Sequence, residues 1–288
     1  MTTQALLHEL DLHPLKRLGQ SFLVDRHVLE RILAAADVGP QDTVLEIGAG
    51  LGILTEALGQ RARRVVAVEI DQRLVSVLQE RLKAASNTEI ILGDILALDI
   101  PGLLPQGCWD LQQGSEPRPD QRYKVVANIP YYITSAVLRR ILEQSLRPEI
   151  IVLMVQKEVA RRITAGPGEM SLLAVSVQFY GLPRVVAPVP ARCFYPVPKV
   201  DSAIVRIDPH PRLPLNEEDI AAFFDVVRAG FGQRRKQLHN ALLHGLHLPA
   251  ERLAESLSQA GIDGTRRAET LSVMEWVTLY GALKSPDI

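Results

Sequence analysis

The stretch Val44-Leu45-Glu46-Ile47-Gly48-Ala49-Gly50-Leu51-Gly52 runs from an apolar segment straight into three glycines spaced two apart. A short apolar run without alternation predicts a strand buried on both faces, as in a parallel sheet. The glycines that follow predict a turn whose backbone can approach a ligand closely. Working outward, similar runs recur at 65–70, 89–92, 123–127 and 150–155, separated mostly by helical patterns such as 74–82. Alternating strands and helices predict an α/β fold with a mainly parallel sheet covered on both faces. Runs at 185–189 and 202–207 add two strands with no room for a helix between them, so the second is expected to be antiparallel. Residues 171–180 fit a buried strand and a helix about equally well.

The segment 209–214 holds three prolines and reads as a linker. Beyond it the patterns are helical, with Asn216 expected to cap a helix ahead of Glu217, Glu218 and Asp219. The expected division is therefore 1–208 for the sheet domain and 209–288 for a small all-helical domain. Residues 101–122 contain four prolines and three glycines and predict a long irregular loop, entering its strand at the end opposite the pocket.

The chain has 288 residues, 47% of them hydrophobic, enough to bury a full core. Its net charge of −1 announces no nucleic-acid partner, so any such reading rests on where the charges sit. Cys108 and Cys193 lack metal-ligand spacing and are too few for a disulfide framework, which favours a reducing cytoplasm and no structural metal. No leader pattern opens the chain and no apolar run approaches the roughly 20 residues that span a bilayer. A cytoplasmic monomer without membrane contact is expected.

The spacing of Gly48, Gly50 and Gly52 is G-x-G-x-G rather than the G-x-G-x-x-G of dinucleotide sites, which weighs against NAD. Glu46 is placed to brace this turn. Glu69 ends the next strand, where a carboxylate can accept both ribose hydroxyls. Asp94 ends the third strand and can accept from an adenine amine, with Ile70 and Ile95 on either side of the ring. Taken singly, each carboxylate is as readily a solvated loop residue; together they describe a nucleoside pocket. Asn128-Ile129-Pro130-Tyr131 follows another strand and reads as a reaction loop at the same sheet edge. Pocket and loop together point to S-adenosylmethionine and methylation of an amino nitrogen, on a seven-stranded Rossmann-like methyltransferase sheet. An adenine amine is a poor nucleophile because its lone pair is delocalised. The side-chain oxygen of Asn128 and the carbonyl of Ile129, held by Pro130, can accept its hydrogens and favour the reactive pyramidal form, with Tyr131 stacked on the base. Orientation rather than a strong base then carries the reaction.

These residues resemble the ribosomal RNA adenine dimethyltransferases over almost the whole chain. Leu18-Gly19-Gln20-Ser21-Phe22-Leu23 resembles the family's N-terminal cofactor motif, Glu46 to Gly52 its glycine loop, Gly93-Asp94 its third-strand acid and Asn128 to Tyr131 its catalytic loop. Phe194-Tyr195-Pro196-Val197-Pro198-Lys199-Val200-Asp201-Ser202 resembles its late motif, which puts Phe194 at the base-stacking position. The resemblance also favours a helix over 171–180. It implies S-adenosylmethionine as cofactor, held by Ser21, Leu23, Gly48, Glu69, Asp94 and Asn128, to which the reading of the pocket itself adds Gly50, Ile70 and Ile95. It implies 16S rRNA as substrate, in the small ribosomal subunit or its precursor, with two adjacent adenines near the 3′ end each dimethylated at N6. Ser21 departs from the asparagine usual at its position and is shorter, so that contact is expected to be indirect. Arg234, Arg235 and Lys236 form a run of cations without a nearby acid and match a basic motif of the family, implying phosphate contacts. Two other readings resemble the chain less closely: a large-subunit RNA methyltransferase, and an assembly or transcription factor whose catalysis is secondary. The late motif favours the small-subunit enzyme over the first, and the retained Glu69, Asp94 and Asn128 argue against the second.

Overall fold

The computed structural model describes residues 3–104, 122–233 and 235–284. Its strands in chain order are β1 (Phe22–Leu23), β2 (Thr43–Ile47), β3 (Arg64–Glu69), β4 (Thr88–Leu92), β5 (Tyr123–Asn128), β6 (Ile150–Gln156), β7 (Gly181–Val189), β8 (Phe194–Tyr195) and β9 (Ser202–Pro209). The helices are α1 (Thr3–Glu9), α2 (Arg26–Ala36), α3 (Ile53–Gly59), α4 (Gln72–Arg81), α5 (Ile100–Leu103), α6 (Thr134–Leu142), α7 (Lys157–Ile163) and α8 (Leu172–Gln178), then α9 (Glu217–Phe231), α10 (Leu238–Leu246), α11 (Ala250–Gln259) and α12 (Val273–Lys284). The chain divides into two compact units, Met1–Ala160 with Pro183–Pro209, and Arg161–Leu182 with His210–Ile288. Residues 161–182, placed by the sequence in the first domain, thus group with the C-terminal helices.

The main sheet has seven strands in the order β4-β3-β2-β5-β6-β9-β7. β2 is parallel to both β3 and β5, with Ile47 opposite Val68 on one side and Ala127 on the other. β4 and β6 extend the parallel set, and β9 runs antiparallel to β6. All five residues of β2 are buried, as a strand covered on both faces requires. The chain builds β2, β3 and β4 outward and then crosses to β5, so the strand order reverses between β2 and β5. A crevice opens at the carboxyl ends of parallel strands at such a point.

α2 covers this sheet because Val28, Leu29, Ile32, Leu33, Ala35 and Ala36 fall on one face. Its start is fixed by Asp25, whose carboxylate accepts the N–H groups of His27 and Val28 at 2.8 and 3.1 Å. Asp71 does the same for α4 through the N–H of Arg73.

In the second unit, Phe179 stacks on Phe223 with centroids 4.8 Å apart, and Phe224 meets both edge-on. This aromatic burial explains why the ambiguous 171–180 segment is helical: Ser171 caps α8 by accepting the Ala174 N–H at 3.2 Å, and Phe179 follows the helix into the cluster. α9 passes Trp276 at Gly230, where a Cβ would lie 2.3 Å from the indole ring. Asn216 does stand at the start of α9, but its side chain makes no capping bond, contrary to the sequence expectation. The adjacent Asp219 instead accepts from the Tyr280 hydroxyl at 2.8 Å and pairs with Lys284, tying α9 to α12. Most of the irregular loop expected at 101–122 lies outside the described residues.

Candidate active site

A cavity of about 310 Å³ sits in the first unit where β2, β3, β4 and β5 end. Ser21, Leu23, Gly48, Gly50, Glu69, Ile70, Asp94, Ile95, Asn128, Pro130, Tyr131 and Phe194 all line it. Residues from the N-terminal motif to the late motif therefore share one cavity, and the topology explains how: the carboxyl ends of adjacent parallel strands lie side by side.

The glycine turn is built by backbone needs. Gly48 donates its N–H to the carbonyl of Val68 at 2.8 Å with φ at 79°, a conformation that favours glycine. A Cβ on Gly48 would stand 3.1 Å from the carbonyl oxygen of Asn128. The turn and the reaction loop are thus in direct contact, and a side chain here would push them apart.

The brace expected from Glu46 is supplied by Glu69 instead. One oxygen of Glu69 accepts the Gly50 N–H at 2.9 Å, and the other accepts the N–H groups of Ile70 and Asp71, each at 3.0 Å. Burial pushes the Glu69 carboxyl above its ordinary range, and these three bonds pull it back in part. A carboxylate offers about four acceptor positions, so ligand hydroxyls would have to share them with the backbone. Glu46 is fully buried, lines the cavity, and neither of its oxygens makes a hydrogen bond among the described residues. Burial raises its carboxyl to about 8; the neighbouring Thr55 hydroxyl opposes that rise and Glu69 adds to it. Strand ends put both acids beside the turn, but only the folded backbone decides which one faces the amide groups.

Asp94 is exposed and turns its own loop by accepting the Leu96 N–H at 3.0 Å. Ile95 is 4% exposed and Ile70 47%, so one forms cavity wall and the other rim. Asn128 ends β5 opposite Met154, and its side-chain amide has no hydrogen bond among the described residues. Pro130 leads into a single 3-10 turn, Tyr131–Ile133. The Tyr131 hydroxyl lies 2.6 Å from Ser202 Oγ on β9, which fixes the ring from behind. Burial raises the Tyr131 phenol above its usual range, with the Ser202 hydroxyl opposing.

Phe194 reaches the cavity through a two-stranded ladder in which Leu23 pairs with Phe194 and Phe22 with Tyr195. Phe194 is 2% exposed and belongs to the apolar cluster with Leu23 and Ala49. The Ser21 hydroxyl donates to the carbonyl of Pro196 at 2.6 Å, so this side chain ties the N-terminal and late motifs together. Gln20, which no sequence signal marked as a site residue in its own right, makes a second tie. It accepts the Leu15 N–H at 2.7 Å and donates to Asp71 at 2.9 Å. Its place inside the N-terminal motif is the one feature that could have found it.

Arg235 and Lys236 are exposed in the turn between α9 and α10 and form no ion pair among the described residues. Arg234 lies outside the described residues. Arg161 and Arg266, by contrast, are held by Glu169 and Glu275 at 2.8 and 2.5 Å. Among the described residues no group of three or more His, Cys, Asp or Glu could hold a metal ion, and no helix is long and apolar enough to cross a membrane.

Comparison with known proteins bears on this cavity. Residues 14–285 match the family model for ribosomal RNA adenine dimethylase. The chain is 49% identical over 264 residues to ribosomal RNA small subunit methyltransferase A of Dehalococcoides mccartyi, covering 92% of this chain and 86% of that one. It is 44% identical over 284 residues to the protein of the same name from Moorella thermoacetica, covering 98% and 96%. Among solved structures it resembles the 23S rRNA methyltransferase ErmE with a TM-score of 0.70 at 31% identity, covering 92% of this chain and all of that one. A dimethyladenosine transferase from Plasmodium falciparum gives a TM-score of 0.75 at 26% identity, covering 90% and 95%.

Proposed function

This chain belongs to the ribosomal RNA adenine dimethylase family, and we propose that it methylates N6 of two adjacent adenines near the 3′ end of 16S rRNA, twice each, using S-adenosylmethionine. The observation that carries the reading is the meeting of the Asn128 loop with the Gly48 turn across one cavity, with the Asn128 amide making no hydrogen bond among the described residues. The cavity suits a nucleoside: a backbone turn that a Cβ would obstruct, carboxylates at two adjacent strand ends, and apolar wall between them. S-adenosylmethionine supplies an activated methyl group on a sulfonium.

In this reading Glu69 takes ribose hydroxyls, Asp94 takes an adenine amine, and Ile70 and Ile95 flank the ring. Gly48, Gly50, Ser21 and Leu23 shape the rest of the pocket. Asn128 accepts a hydrogen of the target amine, so that the lone pair points at the methyl carbon, and Pro130 holds the Ile129 carbonyl as a second acceptor. The target base must leave its stack to reach this point, and the faces of Tyr131 and Phe194 offset that cost. The first unit then carries catalysis, and the second carries RNA contacts through Arg234, Arg235 and Lys236.

Small-subunit RNA is favoured over large-subunit RNA because the chain is 49% identical to a small-subunit methyltransferase and 31% to a 23S one. The test is labelled methyl transfer to under-methylated small subunits, mature small subunits, naked 16S rRNA and large-subunit RNA in parallel. Under-methylated small subunits should accept methyl and large-subunit RNA should not. Preference for large-subunit RNA would overturn the assignment.

A further inference from the structure

Consecutive tyrosines at the cavity mouth have opposite environments. Tyr131 is half-buried with its hydroxyl held by Ser202, whereas Tyr132 lines the same cavity and is 65% exposed. An exposed aromatic ring on a cavity rim gains little for the fold, since most of its apolar surface stays in water. What lies against it is the turn that ends at Gly19. There φ is +60°, the N–H of Gly19 donates to the carbonyl of Lys16 at 3.0 Å, and a Cβ would stand 3.6 Å from Cδ1 and Cε1 of Tyr132. The same Cβ would stand 3.4 Å from Cβ of Pro130. This contact brings the 3-10 turn Lys16–Leu18 to the edge of the ring.

Lys16 and Arg17 are both exposed, and neither side chain makes an ion pair or hydrogen bond among the described residues. The nearby acids do not cancel them. Asp71 is matched by Arg73 at 2.6 Å, Glu69 is occupied by backbone N–H groups, and Asp94 accepts the Leu96 N–H at 3.0 Å. The rim therefore offers an exposed aromatic ring, and the turn packed against it carries two exposed cations without an ion pair among the described residues; cations and stacking rings are the combination that holds single-stranded nucleic acid.

We propose that Tyr132, Lys16 and Arg17 form a docking platform for the nucleotide flanking the target adenine, its base stacked on Tyr132 and its phosphate set against Lys16 and Arg17. The inference rests on the RNA-methylating reading above. It adds that the second nucleotide is gripped outside the cavity while the first is inside, so the two neighbours are held by different aromatic residues. The platform binds and positions; it takes no part in the bond changes.

The test is the KM for under-methylated small subunits, alongside calorimetric S-adenosylmethionine affinity and thermal stability, for Tyr132→Ala, Tyr132→Leu, Tyr132→Phe and the double variant Lys16→Gln/Arg17→Gln. Tyr132→Ala should raise the RNA KM roughly 5- to 100-fold, as for loss of one base stack, with cofactor affinity unchanged. Tyr132→Phe should restore the KM and Tyr132→Leu, which fills space without a π-face, should not. The double variant should flatten the dependence of log affinity on log salt by roughly 0.7 for each phosphate no longer neutralised. Restoration by leucine, or an unchanged KM and salt slope in folded variants, would overturn the platform. Absence of RNA methylation by the unaltered protein would instead overturn the reading beneath it, and the platform with it.

Discussion

The carboxylate of Glu69 accepts the backbone N–H of Gly50 at 2.9 Å, so the acid that ends β3 holds the glycine turn that follows β2. Its other oxygen takes two further N–H groups. The residue read as a ribose ligand is therefore also the keystone of the turn on which the cofactor would rest. Glu69→Ala should weaken S-adenosylmethionine binding by about 1.5–3 kcal/mol, the usual loss for hydrogen bonds to a charged group. It should also lower the thermal stability of the cofactor-free protein, because three N–H groups are left without their acceptor. Calorimetry and a melting curve check both; unchanged cofactor affinity would remove Glu69 from the pocket's working parts.

Glu46 gives a pH dependence of defined sign. Its carboxyl stands at about 8 in the folded protein against an ordinary value near 4.5, so the folded state holds a proton that the unfolded chain releases between those values. Where the folded state binds more protons, stability falls as pH rises. The contribution is fully present below about pH 4.5 and is lost as pH passes through about 8, with an upper bound on the order of 5 kcal/mol. Glu46→Gln, neutral at every pH, should flatten urea-derived stability across that window. The shift at Glu69, also upward, leaves a residual slope of the same sign. An identical pH profile for both proteins would show that Glu46 is ionised in the fold.

Asn128→Ala should depress single-turnover methylation by about 10² or more while leaving RNA affinity nearly intact, because an acceptor for the amine hydrogens strengthens as the nitrogen pyramidalises. Single-turnover assays at saturating cofactor and RNA make the distinction. A near-normal rate would assign the amine's acceptor elsewhere.

Arg235→Gln/Lys236→Gln should reduce the slope of log RNA affinity against log salt by roughly 0.7–0.9 for each phosphate that the two cations neutralise. Cofactor affinity should not change, since both residues belong to the second unit and the cavity to the first. An unchanged slope in the folded variant would make this turn a solvated surface.

The parallel strands were legible because central strands of a covered sheet are apolar without alternation, and β2, Thr43–Ile47, takes in the whole segment that leads from Val44 into the glycines. β7 begins at Gly181 rather than 185. Its early residues alternate between buried and exposed, and Gly181 and Pro183 hide the pattern. Residues 171–180 could not be resolved by periodicity, since a short, heavily buried helix leaves no polar stripe; the Ser171 cap and the Phe179 cluster decide it. The ladder joining Leu23 to Phe194 left no local trace because its two strands hold two residues each and meet across most of the chain. Site residues were easier to find than their partners. The spacing of Glu46 and Glu69 placed both near the glycines, and only the geometry showed that Glu69 supports the turn while the Glu46 oxygens make no hydrogen bond among the described residues.

The most direct test of the central claim is nucleoside analysis of under-methylated small subunits after incubation with the protein and S-adenosylmethionine, with the modified positions located in 16S rRNA. N6,N6-dimethyladenosine at two adjacent adenines near the 3′ end is the result that the proposed function predicts. Methyl groups found on another base, on another atom of adenine, or only in large-subunit RNA would contradict it.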